Sequence, residues 1–173
     1  MKMIVLATVV AIAGCATTST PFTGPPPMKI VESNAEAAEL FHGSRQWIAE
    51  NFKSANAVIQ YQDEATNTVI GRGTLPNAVC RNLVGGYVAV KTAKAGECIE
   101  NLPLEFVMKV EAKDNRLRVS MPSARYIQPA TGYIAASEGL ATQEIMDAYK
   151  DEILGYGDKI AAYVVDGAAD DDW

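Results

Sequence analysis

The side chains with most reactive potential are three cysteines, Cys15, Cys80 and Cys98, and a single histidine, His42. Outside the cytoplasm an even pair of thiols tends to oxidise, and a Cys80–Cys98 bond would close a short loop, contributing about 3 kcal/mol. Two separately buried thiols are the other reading. One His and two widely spaced Cys fall short of any four-ligand metal pattern, so neither metal nor cofactor is expected. His42 has no Ser or Cys nucleophile linked to it by motif, and no paired carboxylates stand out. Gly71-Arg72-Gly73 resembles part of a phosphate cradle but lacks the helix that should follow. No catalytic residue is assigned. The remaining candidates are cations on strand-like segments, Arg72, Lys109 and Arg118, which suit binding by charge and hydrogen bonds.

Cys15 has a different context. Lys2 precedes an apolar run from Met3 through Ile12, and Ile12-Ala13-Gly14-Cys15 looks like the lipobox of bacterial lipoproteins. In such leaders the peptide is cut before the Cys, which is then acylated. Residues 1–14 are therefore expected to be a signal peptide and Cys15 the lipidated first residue of the mature chain. The apolar run is well short of the roughly 20 residues a bilayer-spanning helix needs. Ala16 and Thr17 follow; Asp next to the Cys often signals inner-membrane retention in similar lipoproteins, and its absence favours the outer membrane, facing the periplasm. Residues 15–27 are Thr- and Pro-rich and read as a tether, able to lift the domain by up to roughly 40 Å if extended. A polyproline recognition segment is the sharper alternative.

The charge excludes further classes. Fifteen Lys and Arg against 21 Asp and Glu give a net −6, and loss of Lys2 with the leader makes the mature chain about −7. Nucleic-acid binding depends on a basic face that releases counterions from phosphates, and no Lys/Arg run is present. At 173 residues and 49% hydrophobic, the chain suits one globular domain with short appendages.

Residues 28–165 read as that domain. Residues 28–31 suit a short strand. Ser33-Asn34-Ala35-Glu36 has the form of a capping box, so a helix should start there. Its apolar stripe is Ala37, Leu40, Phe41, Ser44, Trp47 and Ile48, with Trp47 as a core anchor. Two strands, residues 57–62 and 68–74, then flank a polar loop, and Gly71 and Gly73 on one face predict close packing over it, with the first helix the candidate partner. Residues 85–92 read as a further strand.

The clearest hairpin comprises residues 104–112 and 116–121. Asp114-Asn115 is a turn pair that tolerates positive φ, placing Lys113 opposite Arg116 and Glu111 opposite Arg118. Met108, Val110 and Ala112 then share an apolar face with Leu117, Val119 and Met121. Residues 122–140 are less regular, with Tyr126 and Tyr133 packing beneath and room for an edge strand. A last helix begins near Thr142, buries Ile145, Tyr149, Ile153, Ile160 and Val164, and is weakened by Gly155 and Gly157. Residues 166–173 form an acidic tail expected to be disordered.

This order implies an α+β two-layer sandwich, a mostly antiparallel sheet with two helices on one face. Trp47-Ile48-Ala49-Glu50-Asn51-Phe52-Lys53-Ser54-Ala55, the pair Val58-Ile59-Gln60-Tyr61 and Val69-Ile70-Gly71-Arg72-Gly73, and Val110-Glu111-Ala112-Lys113-Asp114-Asn115-Arg116-Leu117-Arg118 resemble a bacterial envelope family of unknown function described as TATA-binding-protein-like in fold. Asp114-Asn115 stands where that family often has Asp-Gly. The resemblance implies secretion or lipid anchoring and supplies no catalytic residue. It does not imply DNA binding: TATA-binding proteins use basic residues and Phe wedges, whereas Phe41, Phe52 and Phe106 here read as core and Phe22 as tether. The expected function is a non-catalytic envelope module that binds a protein, peptide or glycan through the uncovered sheet face or an edge strand. The alternative is an envelope hydrolase with an unrecognised active site.

Overall fold

The structure, a computed structural model, describes residues 21–52, 59–130 and 136–168. The leader, Cys15, the first part of the tether, Tyr133 and residues 169–173 lie outside them. No helix among the described residues is long and apolar enough to cross a membrane.

Among the described residues, seven strands and three helices follow in the order β1 (Met28–Glu32), α1 (Ala37–Asn51), β2 (Ile59–Asp63), β3 (Thr68–Asn82), β4 (Tyr87–Ala89), β5 (Cys98–Lys113), β6 (Arg116–Gln128), β7 (Ser137–Leu140), α2 (Gln143–Leu154) and α3 (Tyr156–Ala168). All pairings are antiparallel, in the order β1-β6-β5-β3-β2. The long strands β3 and β6 each carry a second short partner, β4 and β7. Alternation along β5 buries Leu102, Leu104, Phe106, Met108, Val110 and Ala112 beneath the helices. Side chains of the opposite parity form the open face.

The hairpin register is as expected: Lys113 opposes Arg116, Ala112 opposes Leu117, Glu111 opposes Arg118 and Val110 opposes Val119. Asn115 takes the left-handed conformation at φ 63°. The strands extend further than the pattern predicts, because β3 continues past Pro76 and β6 past Pro122. Pro76 lies in the bulge between Leu75 and Val79, Pro103 lies opposite it, and Pro122 lies in the bulge between Ser120 and Ser123. A missing N–H costs little where the ladder is already interrupted. The strand expected at residues 85–92 contracts to β4, after which Val90 N–H donates to Ala78 O and Ala93 N–H to Ala89 O.

The first helix starts later than the Ser33 box implies. Ser33 Oγ accepts only from Ala35 N–H, at 3.4 Å, and Glu36 is the N-cap, with its N–H donating to Glu39 Oε2 at 2.9 Å. The Glu36 side chain accepts in return from the Glu39 N–H, so the box stands three residues later than expected, and the hairpin tip satisfies one more amide of the first turn: Asp114 Oδ1 accepts from Ala37 N–H at 3.1 Å. Asn115 N–H also donates to Ala35 O at 3.0 Å, and Ser33 N–H to Asn115 O at 2.8 Å. Asp114→Ala should therefore destabilise the domain by about 1 kcal/mol, the usual worth of an N-cap; an unchanged denaturation midpoint would show this bond to be idle.

Thr142 caps the next helix as expected, accepting from Ile145 N–H. The weak point at Gly155 is a complete break into α2 and α3. At Gly157 an added Cβ would lie 2.8 Å from Val119 Cγ2 and 3.0 Å from Val31 Cγ2, so the glycine lets α3 approach the sheet closely. Two boundaries differ from expectation. Asp166 and Gly167 belong to α3, so the acidic tail begins inside a helix. Residues 21–27, expected to be free tether, are docked: Pro21 bridges Thr142, Phe22 N–H donates to Ala141 O at 3.1 Å, and the Phe22 ring packs on the core. An aromatic ring within a Pro-rich run gains more by covering apolar surface than the segment gains by staying free.

Candidate functional site

The three cations singled out from the sequence, Arg72 on β3, Lys109 on β5 and Arg118 on β6, all fall on the open face. Cross-strand neighbours bring two of them to one carboxylate. Arg118 makes a bidentate pair with Glu111, Nη2 to Oε1 at 2.6 Å and Nε to Oε2 at 2.8 Å, and Lys109 Nζ reaches Oε1 at 3.1 Å. The Arg118 hydrogen bonds, outweighing partial burial, hold the Glu111 carboxyl below its ordinary value.

Beyond the bulge that separates Lys109 from Val107, a second group repeats the arrangement. Arg125 of β6 donates through Nε and Nη2 to Glu105 Oε2 at 2.9 and 2.8 Å, and through Nη1 to Glu138 Oε2 of β7 at 2.8 Å. These carboxylates, Glu105 foremost, raise the Arg125 pKa. Arg125 and Glu105 escape a sequence reading that ends β6 at Pro122. The missed signal is continued alternation, visible once an extra residue is allowed at the proline.

Arg72 lies between the two groups, opposite Val107 and one strand over from the bulge. It has no ion-pair or side-chain hydrogen-bond partner among the described residues. With Glu105, Val107, Ser123, Arg125 and Leu140 it lines a shallow depression of about 160 Å³. A free guanidinium beside satisfied ion pairs can take a carboxylate or phosphate bidentately, with little competition from its neighbours. Exposed Met28 and Ile30 of β1 and Tyr61 of β2 add apolar contact area on either flank of this face.

The other sequence candidates are placed differently. His42 is exposed on α1, its ring edge-on to Phe41. Trp47 is a core residue against Phe52 and Tyr156. Cys80 and Cys98 are bonded, with Cα atoms 5.3 Å apart, which settles the choice between bridge and separate thiols. Tyr126 stacks on Tyr87 at a ring separation of 4.1 Å, and burial, then the Tyr87 hydroxyl, raises its pKa. Among the described residues no cluster of three or more His, Cys, Asp or Glu could hold a metal. A larger cavity of about 360 Å³, absent from the sequence reading, opens beside Trp47, Asn51, Phe52, Phe106, Tyr156 and Lys159. It is walled mainly by core aromatic rings that pack on one another.

Comparison with known proteins adds a family. No curated protein matches the chain. Two solved structures are similar. One is a crystal structure of a DUF4468 family protein from Bacteroides ovatus, 19% identical, covering 83% of this chain and 78% of that one with a TM-score of 0.47. The other is a TBP-like protein from Parabacteroides distasonis, 14% identical, covering 83% and 86% with a TM-score of 0.45. The family pattern described as a domain of unknown function (DUF4468) with TBP-like fold matches residues 29–127, from β1 to the end of β6. More than half of the sequence, including both ion-pair groups of the open face except Glu138, thus lies within that match, and the chain belongs to the DUF4468 family.

Proposed function

We propose that this protein is a non-catalytic binding module of the bacterial envelope, lipid-anchored through Cys15 in the outer membrane, and that it holds a protein, peptide or glycan partner on its open sheet face. The observation that carries the reading is Arg72, a guanidinium with no partner among the described residues, set between two carboxylate-satisfied groups on a face that no described helix covers. Its chemistry suits a partner that presents a carboxylate, with Ser123 available as a hydrogen-bond donor and the Val107 side chain as apolar floor. Net negative charge weighs against nucleic acid as that partner.

The test uses a photo-crosslinking residue at Ser123 on the open face and, as comparison, at Ala49 on the exposed side of α1. A discrete adduct in intact cells is expected from Ser123 and not from Ala49. Replacing Arg72, Lys109 and Arg118 together by Glu should reduce that adduct at least tenfold while the domain stays folded by circular dichroism. Equal adducts from both positions, or an adduct indifferent to the triple substitution, would move the contact elsewhere. Turnover of an envelope substrate abolished by one point mutation would replace this reading with the hydrolase.

A further inference from the structure

The connection between β3 and β4 turns tightly on itself. Asn82 N–H donates to Gly86 O at 2.9 Å, Gly85 N–H to Asn82 O at 3.1 Å, and Gly86 N–H to Asn82 Oδ1 at 2.7 Å. Gly85 has φ 82°. At the base of the turn Asn82 is paired with Cys98, which is bonded to Cys80. At its crest stand Leu83 and Val84, 73% and 87% exposed, more than any other large hydrophobic described. Ile99, next to Cys98, is half exposed as well. Polar residues would serve such a turn equally well and without exposing apolar surface to water. A rigid, braced hairpin crowned by Leu-Val therefore has a use outside the fold.

We propose that the Leu83–Val84 tip is a membrane contact, which lays the domain against the bilayer that holds its lipid anchor. This rests on the reading of Cys15 as acylated. Two observations favour a bilayer over a protein as the occupant. The tip is convex and small, far below the roughly 1,000 Å² a stable protein interface needs, whereas lipid accommodates any apolar protrusion. The chain also enters the fold a short way from its anchor. Pro21 bridges Thr142 beside Ala124, which lies opposite Phe106 at mid-sheet, about eight residues along β5 from the Cys98 end that carries the tip. Only six residue steps separate Pro21 from Cys15, a reach of roughly 20 Å at full extension, so an anchored domain cannot stand far from the surface. Two side chains are too few to hold a free domain on lipid, but a short tether supplies a millimolar local concentration. Because the chain is acidic, the contact should be apolar and insensitive to salt.

The experiment uses the chain from Cys15 onward, its thiol coupled to a lipid maleimide in phosphatidylethanolamine/phosphatidylglycerol vesicles, with Trp173→Phe throughout and the signal of buried Trp47 subtracted from the protein that carries no added indole. Val84→Trp places an indole at the tip, and Glu64→Trp places one in the β2–β3 turn at the opposite end of the sheet. Brominated acyl chains should quench the tip indole at least threefold more than the other, in low and high salt alike, and Leu83→Asp should abolish the difference. Equal quenching at both positions, or quenching unaffected by Leu83→Asp, overturns the tip contact. Mass spectrometry of Cys15 from native protein tests the anchor separately, so an unacylated Cys15 would overturn that reading without being confused with failure of the tip.

Discussion

Gly73→Val should cost the domain about 3 kcal/mol, a fall in midpoint of roughly 10 °C, although valine is the better strand former. Gly73 lies directly opposite Phe106 on β5, and a Cβ at this position would sit 2.3 Å from Phe106 Cζ and 2.9 Å from both Cε atoms. The ring can yield only toward the cavity that it lines with Phe52 and Tyr156, at the expense of its aromatic packing. It is 1% exposed and lies edge-on against Phe52 at 5.5 Å, with Tyr156 at 6.1 Å. Valine's strand preference is worth at most about 1 kcal/mol, so overpacking wins. Phe106→Leu in the same background should recover part of the loss, since the two changes share one volume. Additive effects of the two substitutions, or an unchanged midpoint for Gly73→Val, would show that the ring yields.

The second large effect is expected from the Cys80–Cys98 bond. Cys80→Ala with Cys98→Ala should lower stability by about 3 kcal/mol in the chain-entropy view, because the bond closes a loop with a sequence separation of 18. That loop contains all of β4, a strand of three residues whose ladder partner is β3 alone. Dithiothreitol should shift the urea midpoint of the unsubstituted protein to that of the double variant and leave the double variant where it is. Coincident midpoints for the oxidised and reduced protein would remove the bond from the account of stability. Since Lys91, just after β4, donates to Glu152 of α2 at 2.6 Å, hydrogen exchange should rise first at this end of the sheet.

The parts of this fold that were legible in the sequence are those in which local pattern and tertiary role agree. The β5–β6 hairpin is the clearest: alternation, a turn pair tolerant of positive φ and opposed charges at Glu111 and Arg118 all specify one register. Trp47 and the α1 stripe are legible for the same reason. The misreadings occur where a distant element changes the meaning of a local signal. Pro76 and Pro122 look like strand ends, yet a bulge absorbs each of them, and with Pro122 went Arg125 and half of the open face. Ser33 has the better cap chemistry, but Asp114, 77 residues from Ala37, moves the helix start. The Gly71-Arg72-Gly73 pattern does signal close approach, but what lies nearest Gly73 is the Phe106 ring of the next strand, on which Phe52 at the end of the first helix packs in turn. Phe22 is one apolar residue among prolines, and only the groove beside Ala141 makes it part of the domain. Arg72 was visible as a cation; that it alone of the three has no partner among the described residues depends on cross-strand register, which its own strand does not contain.

The docking of Asp114 and Asn115 onto the start of α1 also orders events in time. The β5–β6 hairpin needs only neighbours in sequence and can close within microseconds. The cap of α1 requires a loop spanning residues 37 to 114, whose closure entropy must be met before the bond can return anything. The acceptor is thus assembled on one element before its donor on another is held in place. Asp114→Ala should then leave the refolding rate unchanged and appear almost wholly as faster unfolding, with a φ-value near zero at the helix start and higher values along Val110, Leu117 and Val119. In this domain the helix nearest the N-terminus is among the last pieces to lock.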